Sequence, residues 1–359
     1  MSNTKTLHLR VKDKHAKWLA EQAGQVNQVW NFCVGTAHKY GPKHYVGKTK
    51  FFSNYDYHKL TSGLSKEEGI ILPAASIQSV CDEVATRTKR TATKKWQIPR
   101  FRASFGAKKA LGWIPFKKSS ISYKNGQLKF NGKFISVWDS HGLSKYALGT
   151  GNFSQDARGR WYLNTTVEVK EIKHTGTKSV GIDLGCKEAV VCSDGTRLEG
   201  RNFRKLEDKL ATSQRAGHKN RIRAIHAKIA NKRKDELHKL SSELVEQNAA
   251  IFVGNVSAKA MAKTNMAKSA SDAGWGIFKT MLKYKSHWAG IEYMEVSEAY
   301  TTQTCSSCGV ISVTSPKGRA GLGIREWTCS ECGTVHDRDI NAAQNILAAG
   351  HCRLAGGIH

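Results

Sequence analysis

The chain has 359 residues, enough for two or three domains with their own cores, and it carries 57 lysines and arginines against 29 acids, a formal net charge of +28. This excess is too large for an ordinary enzyme of small molecules, and it predicts a polyanionic partner, nucleic acid before an acidic membrane surface. We find no amphipathic basic helix, lipid-anchor signal, N-terminal signal sequence or run of ~18 apolar residues, so we expect no membrane association. Nine cysteines, an odd number, argue against a secreted disulfide framework.

The first half of the chain predicts a β unit interrupted by helices. Residues 5–11 alternate like a strand, and residues 14–95 have mostly helical spacing of their apolar side chains. Residues 119–138 and 146–169 then predict hairpins with Asn-Gly and Gly-containing turns. We therefore expect a lone N-terminal strand, a helical insertion and a set of hairpins.

A basic and aromatic segment lies between these parts. Residues 86–118 contain 11 lysines and arginines, five aromatic residues and no acid. Cations suit phosphates and aromatic rings suit stacking on exposed bases, although the rings could equally belong to the core of the β unit. The nucleic-acid-binding candidates in this segment are Lys94, Lys95, Trp96, Arg100 and Arg102.

The second half predicts an α/β domain that begins with an apolar strand around Asp183. Val180, Ile182 and Leu184 alternate with smaller or polar residues there, and a Ser-Asp-Gly turn follows. An unpaired buried acid is costly, so Asp183 is either a satisfied structural residue or one of several acids that hold a metal. Alternating helical and apolar strand patterns continue to a final helix predicted from Asn341.

A long polar helical stretch follows the first strands of this domain, over residues 203–248. Between residues 201 and 240 there are 13 lysines and arginines and 4 acids. A solvated helical hairpin would explain the polarity, but the sign of the charge favours a surface that faces phosphates. The candidates here are Lys232, Arg233 and Lys234.

Two cysteine pairs predict a structural zinc site. Cys305 and Cys308 form one C-x2-C pair, Cys329 and Cys332 form another, and a glycine follows each pair. Four thiolates in two such turns suit tetrahedral Zn²⁺ and leave no open position for a substrate. The segment between the pairs has few apolar residues, so the metal would stabilise its fold.

The acids near the C-terminus give the whole arrangement a resemblance to known nucleases. "HDRDINAAQNIL" places Asp337 and Asp339 at the predicted start of a helix, where acids are often only capping charges. Together with Asp183, the basic chain and the zinc site, the pattern resembles the RNase H-like RuvC nucleases. More narrowly, it resembles the TnpB family, transposon-associated RNA-guided DNA nucleases related to the type V CRISPR effectors. The resemblance is carried, in order, by "GIDLG" (181–185), "KRKDELHKLS" (232–241), "YTTQTCSSCG" (300–309), "CSECG" (329–333) and "HDRDINAAQNIL" (336–347).

The resemblance implies a multidomain α+β fold. Its parts would be an RNase H-like (RuvC) α/β nuclease domain of residues 173–300 and 334–359, with an inserted zinc ribbon of residues 301–333. The first half, which matches the family only in plan, would be a wedge-like β-barrel of residues 1–12 and 96–172 with a helical recognition domain of residues 13–95 inserted.

By the same resemblance, Asp183 is the first catalytic acid and Asp339 the third. Asp339 is preferred to Asp337 because it directly precedes "INAAQNI", as the last acid of the family does. The middle acid departs from the pattern. In the family it ends a strand of the type "IVIEDL", whereas the strand here is "IFVGNV", with Gly254 and Asn255 at the corresponding positions.

Two explanations of this departure are open: the protein has lost its nuclease activity, or another element supplies the middle acid. We favour Glu298 on the next strand, because Gly254 would leave room for its carboxylate and because an abandoned site would have no reason to keep the other two acids. Glu295 on the same strand is the second choice, and an exposed strand-end charge is the structural alternative for Glu298.

The implied function is RNA-guided cutting of double-stranded DNA next to a short flanking motif. Asp183, Glu298 and Asp339 would hold two Mg²⁺ ions, since this hard cation prefers carboxylate oxygens and a metal pair can activate water and stabilise the leaving oxygen of a phosphodiester. A guide RNA from the same element would occupy the basic channel, and base pairing would select the target. The expected location is the prokaryotic cytoplasm, at the nucleoid when the protein is bound to DNA.

Two other functions are compatible with the sequence. The first is a nuclease-inactive RNA-guided DNA-binding protein, which would bind DNA in an RNA-dependent manner without cutting it. The second, less favoured, is an RNase H-like DNA transposase, which would transfer strands without a guide RNA. The sequence does not predict the flanking motif, the guide length or the oligomeric state.

Overall fold

The computed structural model describes residues 3–40, 52–66, 69–92, 99–169, 176–200, 204–257, 261, 267–318 and 320–356. The chain divides into two units, Met1–Lys170 and Glu171–His359. None of the helices in the described ranges is long and apolar enough to cross a lipid bilayer.

The first unit contains two antiparallel sheets. The larger has the strand order β1-β7-β6-β2 and comprises β1 (Asn3–Arg10), β2 (Trp113–Phe116), β6 (Leu148–Gln155) and β7 (Trp161–Val169). The smaller is a meander of β3 (Ile121–Lys124), β4 (Gln127–Phe130) and β5 (Lys133–Ile135). Asn-Gly pairs with positive φ form both turns of the meander, as two-residue hairpins require. The predicted hairpins are confirmed.

In the parts of this segment that the structure describes, three α-helices lie between β1 and β2: α1 (Ala16–Tyr40), α2 (Asn54–Leu60) and α3 (Ala74–Ala92). β1 nevertheless pairs with β7 along its whole length, from Asn3 opposite Val169 to Arg10 opposite Tyr162. The helices are therefore inserted between strands of one sheet. Their apolar faces and the inner faces of both sheets form one core. Among the described residues, an isolated bridge joins Val11, just after β1, to Val137, two residues after β5, and the closed barrel stays a prediction.

The second unit is built on a mixed five-stranded sheet with the order β10-β9-β8-β11-β12. Its strands are β8 (Lys178–Asp183), β9 (Glu188–Cys192), β10 (Arg197–Glu199), β11 (Asn248–Gly254) and β12 (Glu292–Val296). The first three strands pair antiparallel, whereas β11 is parallel to both β8 and β12. The carboxyl ends of β8, β11 and β12 consequently meet at one edge of the sheet.

Helices cover both faces of this sheet. α4 (Glu207–Arg215) and α5 (Lys219–Gln247) follow β10, and α6 (Ala267–Ala273) and α7 (Trp275–Ala289) follow β11. α5 and α7 pack on the face that carries Val180 and Ile182. The opposite face, which carries Phe252 and Val296, packs against α8 (Arg338–Ala355).

A short ribbon connects β12 to α8. Its two strands, β13 (Glu326–Thr328) and β14 (Val335–Asp337), pair antiparallel. The last helix begins at Arg338, three residues before the predicted start at Asn341, because the side chain of Asp337 caps it by accepting from the amides of Asp339 and Ile340. The prediction was wrong at this boundary because a capping acid adds a turn that apolar periodicity does not show.

Candidate active site and metal centre

The alternation of β8 places Asp183 on the face of the sheet that α8 covers. A Cβ on Gly181 would lie 2.1 Å from the carbonyl oxygen of Ala343 in α8, so glycine allows the strand and the helix to touch here. Residues two apart on a strand share a face, and Asp183 is two residues after Gly181. Asp183 therefore lies at the carboxyl end of β8, partly buried on the α8 side.

The same alternation brings Glu298 to this face from β12. Val296 packs against α8, and Glu298 follows it by two residues, just beyond the end of the strand. A Cβ on Gly254 would lie 2.9 Å from the Oε2 atom of Glu298, so the carboxylate occupies the space over this glycine. Gly254 in turn ends β11, the strand between β8 and β12.

The loop after β11 holds Glu298 in this place. The side-chain oxygen of Asn255 accepts from the amide of Glu298 at 3.4 Å, and the amide of Val256 donates to its carboxylate. On the other side of the loop, Nζ of Lys279 donates to the carbonyl of Val256 at 3.1 Å. Glu298 is thus supported by the segment in which the TnpB family, which the sequence resembles, has its middle acid.

Glu295 lies on the opposite face of β12 from Val296, because neighbouring residues of a strand alternate between the two faces of the sheet. Its carboxylate pairs with Nζ of Lys279 in α7 at 2.8 Å and accepts from the hydroxyl of Tyr293 at 3.2 Å. Glu295 already has two partners on the α7 side of the sheet. The geometry favours Glu298 as the middle acid.

The two acids before α8 have different surroundings. Asp337 caps the helix and accepts from Arg197 at 2.8 Å. Burial works against its ionisation, but the hydrogen bonds from Arg197 and the amide of Ile340 hold the pKa of Asp337 below its usual value. Asp339 lies in the first turn, and its contact with the guanidinium of Arg325, at 2.7 Å, is an ion pair. Asp337 is therefore explained by the local fold, whereas Asp339 stays available to a site at the end of the helix.

The charges of both other acids act on Asp183. Burial, followed by the negative charges of Asp339 and Glu298, raises the pKa of Asp183 to about 7. Burial likewise raises the pKa of Glu298, against the opposing charge of Lys279. Acids that repel one another in a partly buried site fit a bound divalent cation, whose charge would offset the repulsion. Their roles as catalytic and Mg²⁺-binding residues stay predictions.

The four cysteines form a compact cluster. Each of Cys305, Cys308, Cys329 and Cys332 offers a sulfur atom, and these atoms lie within 4.8 Å of one another. Within the described ranges, they are the one group of three or more histidines, cysteines or acids that is this close, so the three carboxylates above are spaced more widely.

The two cysteine turns have the same backbone geometry. In one, the amide of Cys305 donates to the carbonyl of Val310 and the amide of Gly309 donates to the carbonyl of Cys305. Cys329, Thr334 and Gly333 repeat the pattern, and both glycines have positive φ, 76° and 71°. Two equivalent turns that present four sulfurs fit a tetrahedral zinc ion. The cluster matches the predicted zinc site.

Two neighbours of the cluster were not predicted. The Nε2 atom of His336 lies 3.0 Å from the sulfur of Cys305, and the ring of His336 packs against Trp327 at 4.9 Å between centroids. A hydrogen bond from a ring N–H to a ligating sulfur would stabilise the thiolate. The sequence carries no spacing signal for this contact, because it depends on the pairing of β13 with β14.

The nucleic-acid-binding candidates of the first unit differ in their exposure and contacts. Lys94, Lys95 and Trp96 lie outside the described residues. Arg100 is exposed, but Arg102 is held inside the unit. Its guanidinium donates to the side chain of Asn27 at 2.7 Å and to the carbonyl of Leu111 at 2.8 Å, and it stacks over Trp30. These contacts favour a structural role for Arg102.

The aromatic residues of the same segment divide in a similar way. Phe116 is buried and Trp113 packs against the core of the first unit. Phe101 and Phe105 are 58% and 85% exposed, and Phe101 stacks on His38. The exposed rings suit contact with bases, whereas the other two fill the core.

The candidates of the second unit lie on α5. Lys232 is exposed and faces Glu236 at 3.6 Å, and Arg233 pairs with Asp272 of α6 at 2.8 Å with both side chains mostly buried. Lys234 is exposed. Of the three, Arg233 has the clearest structural task and Lys234 presents its charge to solvent.

Other residues of the candidate active site were not predicted either. Lys279, Asn255 and Arg325 all contact a candidate acid or the loop that holds it. From the sequence, Asn255 is predicted only to leave the position without an acid. Each of these contacts joins residues between 14 and 43 positions apart, a separation at which sequence periodicity carries no signal.

Comparisons with known proteins agree with this arrangement. The family model described as "Cas12f1-like, TNB domain" matches residues 275–346, and the model described as "Probable transposase" matches residues 162–265. The "Putative RNA-guided DNA endonuclease" of Streptomyces pristinaespiralis is 32% identical over 308 residues, which cover 79% of this chain and 74% of that protein. This chain belongs to the TnpB family.

Two further matches extend the family relationship. The "Putative RNA-guided DNA endonuclease InsQ" of Escherichia coli K12 is 34% identical over 230 residues, covering 55% of this chain and 56% of that one. The Cas12f1 chain of a cryo-EM structure of a Cas12f1–sgRNA–target DNA complex has a TM-score of 0.60 at 15% identity and covers 96% of this chain and 98% of its own. The multidomain α+β fold is therefore shared with Cas12f1.

Proposed function

We propose that this protein is an RNA-guided DNA endonuclease whose second unit cuts phosphodiester bonds with a RuvC-type site. The observation that carries the proposal is the convergence of Asp183, Glu298 and the α8 terminus with Asp339 at one edge of the sheet. Three antiparallel strands followed by two parallel ones, with Asp183 at the carboxyl end of β8 and Glu298 just beyond that of β12, support an RNase H-like fold. The names of the relatives support the RNA-guided activity.

The donor set of the site fits Mg²⁺. Asp183, Glu298 and Asp339 supply only carboxylate oxygens, and Asp183 has no ion-pair partner within the described ranges. When bound, a pair of such ions supplies an activated water and stabilises the leaving oxygen of an in-line displacement. The protein holds the three carboxylates in place. Asp183 is fixed by the sheet edge, Glu298 by the loop after β11, and Asp339 by the first turn of α8.

The inactive alternative depends on the loss of an acid at Gly254. The position of the Glu298 carboxylate over Gly254 supports the active function, because the missing charge is replaced in nearly the same place. The hydrogen bond from the amide of Glu298 to the side-chain oxygen of Asn255, and the one from the amide of Val256 to the Glu298 carboxylate, support this arrangement further. Nothing in the geometry favours the inactive form.

Guide RNA and target DNA are the proposed partners. The net charge of +28 supports binding to two nucleic acids, and the cryo-EM neighbour is a complex with sgRNA and target DNA. Base pairing with the guide would select the target. The first unit has a cavity of about 480 Å³ lined by Trp113, Asn152 and Asn164, among others, and these polar groups suit reading of a flanking motif. We also propose a cytoplasmic location, at the nucleoid when bound to DNA, and four domains with the boundaries given above.

The deciding experiment combines the purified protein, the transcript that copurifies with it, and DNA that carries a matched target beside randomised flanking bases. We expect cutting that requires Mg²⁺ and that Asp183→Ala and Glu298→Ala abolish. Glu295→Gln is the matched control on the same strand and should cut at close to the normal rate. RNA-dependent binding without cutting would instead establish the inactive form, and strand transfer without copurifying RNA would establish a transposase.

A further inference from the structure

The loop between Glu298 and the cysteine cluster displays one aromatic side chain in a strained conformation. Tyr300 is 65% exposed, and its φ of 63° lies in the left-handed region, which residues with a Cβ avoid. Two other non-glycine residues in the described ranges have positive φ, Asn125 and Asn131. Both are in Asn-Gly hairpin turns, where asparagine is common. Tyr300 is thus the one that turn chemistry does not explain.

Hydrogen bonds around the loop hold this conformation in place. The carbonyl of Tyr300 accepts from the amides of Gln303 and Thr304, both at 2.9 Å, and from the hydroxyl of Thr304 at 3.0 Å. The amide and hydroxyl of Thr301 donate to the carbonyl of Glu298 at 3.3 and 2.9 Å. The backbone on both sides of Tyr300 is therefore fixed, and the turn is tied directly to the candidate middle acid.

α8 clamps the same turn from the other side. The side-chain amides of Asn341 and Asn345 both donate to the carbonyls of Thr301 and Thr304, at distances from 2.7 to 3.1 Å. The first turn of this helix carries Asp339. The strained turn is thus anchored to the two elements that supply Glu298 and Asp339. Strained residues persist where surrounding contacts determine them, and they concentrate at functional sites.

No contact of the Tyr300 ring with the described residues explains the strained backbone. The ring makes no hydrogen bond or ring contact with any residue that the structure describes. An exposed aromatic ring in a strongly basic chain suits stacking on an unpaired base. Such stacking contributes a substantial part of the affinity of proteins for single-stranded nucleic acid. Tyr300 is also only two residues from Glu298, so a base that it contacts belongs to a nucleotide near the acids.

We propose that Tyr300 stacks on an unpaired base of the DNA strand whose phosphate lies at Asp183, Glu298 and Asp339, and that it thereby positions this strand for cutting. The inference rests on the proposed nuclease function. It assigns the strained turn a ligand of defined chemistry, a nucleobase in a single-stranded segment next to the phosphate that is cut.

Three variants test the inference in the protein loaded with its own guide transcript. Tyr300→Phe keeps the ring, Tyr300→Asn removes it with a residue that tolerates positive φ, and Tyr55→Asn removes a ring that is equally exposed, 64%, in the first unit. In single-turnover cutting of matched DNA, we expect Tyr300→Asn to be slower by about tenfold and Tyr300→Phe to keep at least half of the rate. Tyr55→Asn should cut normally, and the Tm of Tyr300→Asn should not fall.

The fluorescence of a modified base reports stacking directly, and it would not change if Tyr300 had only a structural role. 2-Aminopurine beside the cut position is quenched when it stacks, and in the Asp183→Ala protein, which holds DNA without cutting, we expect bright fluorescence only after Tyr300→Asn is added. Normal cutting by Tyr300→Asn, unchanged fluorescence, or a fall in Tm that accounts for slower cutting would each overturn the inference. Failure of the unmodified protein to cut would count against the nuclease function, whereas the fluorescence of the bound DNA would still decide the stacking.

Discussion

At the scale of single residues, the raised pKa of Asp183 has a consequence for stability. A carboxyl with a pKa of about 7 in the folded protein and 3.8 as its model value is protonated more readily when folded, so folding is favoured below pH 4 and this advantage is lost as the pH rises through 7. Each pKa unit represents about 1.4 kcal/mol, so ionised Asp183 destabilises the folded state by up to about 4 kcal/mol.

Asp183→Asn should therefore raise the Tm at pH 8 in Mg²⁺-free buffer and change it little at pH 4. Added Mg²⁺ should stabilise the unmodified protein more than the variant, because the ions offset the repulsion among the acids. Asp337→Ala is the control: it removes the side-chain oxygen that caps α8 and should lower the Tm in both buffers. An equal effect of Asp183→Asn at both pH values would show that Asp183 does not titrate near 7.

Two substitutions can move the proposed middle acid from position 298 back to position 254, where the family carries it. Glu298→Ala should reduce cutting by roughly a hundredfold or more, since the metal site loses a ligand. Adding Gly254→Glu to this variant returns a carboxylate to the strand position at which the family carries it, and we expect about a tenfold recovery of the single-turnover rate.

Gly254→Ala alone tests the same geometry without a change of charge. Its Cβ would approach Glu298 Oε2 at 2.9 Å, so the carboxylate must move and cutting should slow. Full activity of Gly254→Ala, or no recovery in Gly254→Glu with Glu298→Ala, would mean that the two positions do not serve one site.

At the scale of elements, the sequence predicted local features well. The cysteine pairs, the Asn-Gly turns and the strand around Asp183 depend on spacings of a few residues, which periodicity and turn chemistry report. The preference for Glu298 over Glu295 depended instead on the room that Gly254 leaves for a carboxylate, and it stays a prediction. The three-residue error at the start of α8 arose where a cap rather than an apolar stripe sets the boundary.

Long-range contacts could not be predicted in this way. Arg102 was expected to contact nucleic acid, but it bonds to Asn27, 75 residues away. Arg233 bonds to Asp272, 39 residues away. A guanidinium in a basic segment has the same sequence signature whether it faces solvent or a partner from another helix. Only the packing of α1 and α6 distinguishes the two cases.

The ribbon and α8 are consecutive elements, and this predicts an effect of zinc on the active site. β14 ends at Asp337, the residue that caps α8, so the ribbon holds the terminus that carries Asp339. We expect about one zinc ion per chain by metal analysis. Its removal by a chelator should expose the buried ring of Trp327, shift its fluorescence to the red and stop cutting even with Mg²⁺ in excess.

Two variants separate this effect from general damage. Cys329→Ser should reproduce the loss of zinc, whereas Cys352→Ser, which removes an exposed cysteine outside the cluster, should leave zinc and cutting unchanged. Trp327→Phe identifies the fluorescence change among the nine tryptophans. A zinc-free protein that still cuts at the normal rate would show that the ribbon does not position Asp339.

At the scale of the whole molecule, the net charge of +28 predicts that RNA binding weakens steeply with salt. Each lysine that contacts a phosphate contributes about one unit to the slope of log K against log salt, because binding releases a counterion. Lys234 is exposed on a basic helix, whereas Arg102 is bonded within the first unit. The two residues carry the same charge, but their substitutions should affect different quantities: the salt dependence of RNA binding for Lys234 and the Tm for Arg102.

Lys234→Gln should lower the slope of log K against log salt by about one, because one phosphate contact is lost. It should leave the Tm unchanged, because the side chain of Lys234 is exposed. Arg102→Gln should lower the Tm, because Asn27 and the Leu111 carbonyl lose their donor, and should leave the slope unchanged. Binding of the guide transcript between 50 and 400 mM salt, roughly the range in which such slopes are measured, gives both values. If Arg102→Gln changed the slope and Lys234→Gln did not, the interior contacts of Arg102 would have to open on RNA binding, and the assignment of the phosphate-facing surface to α5 would be wrong.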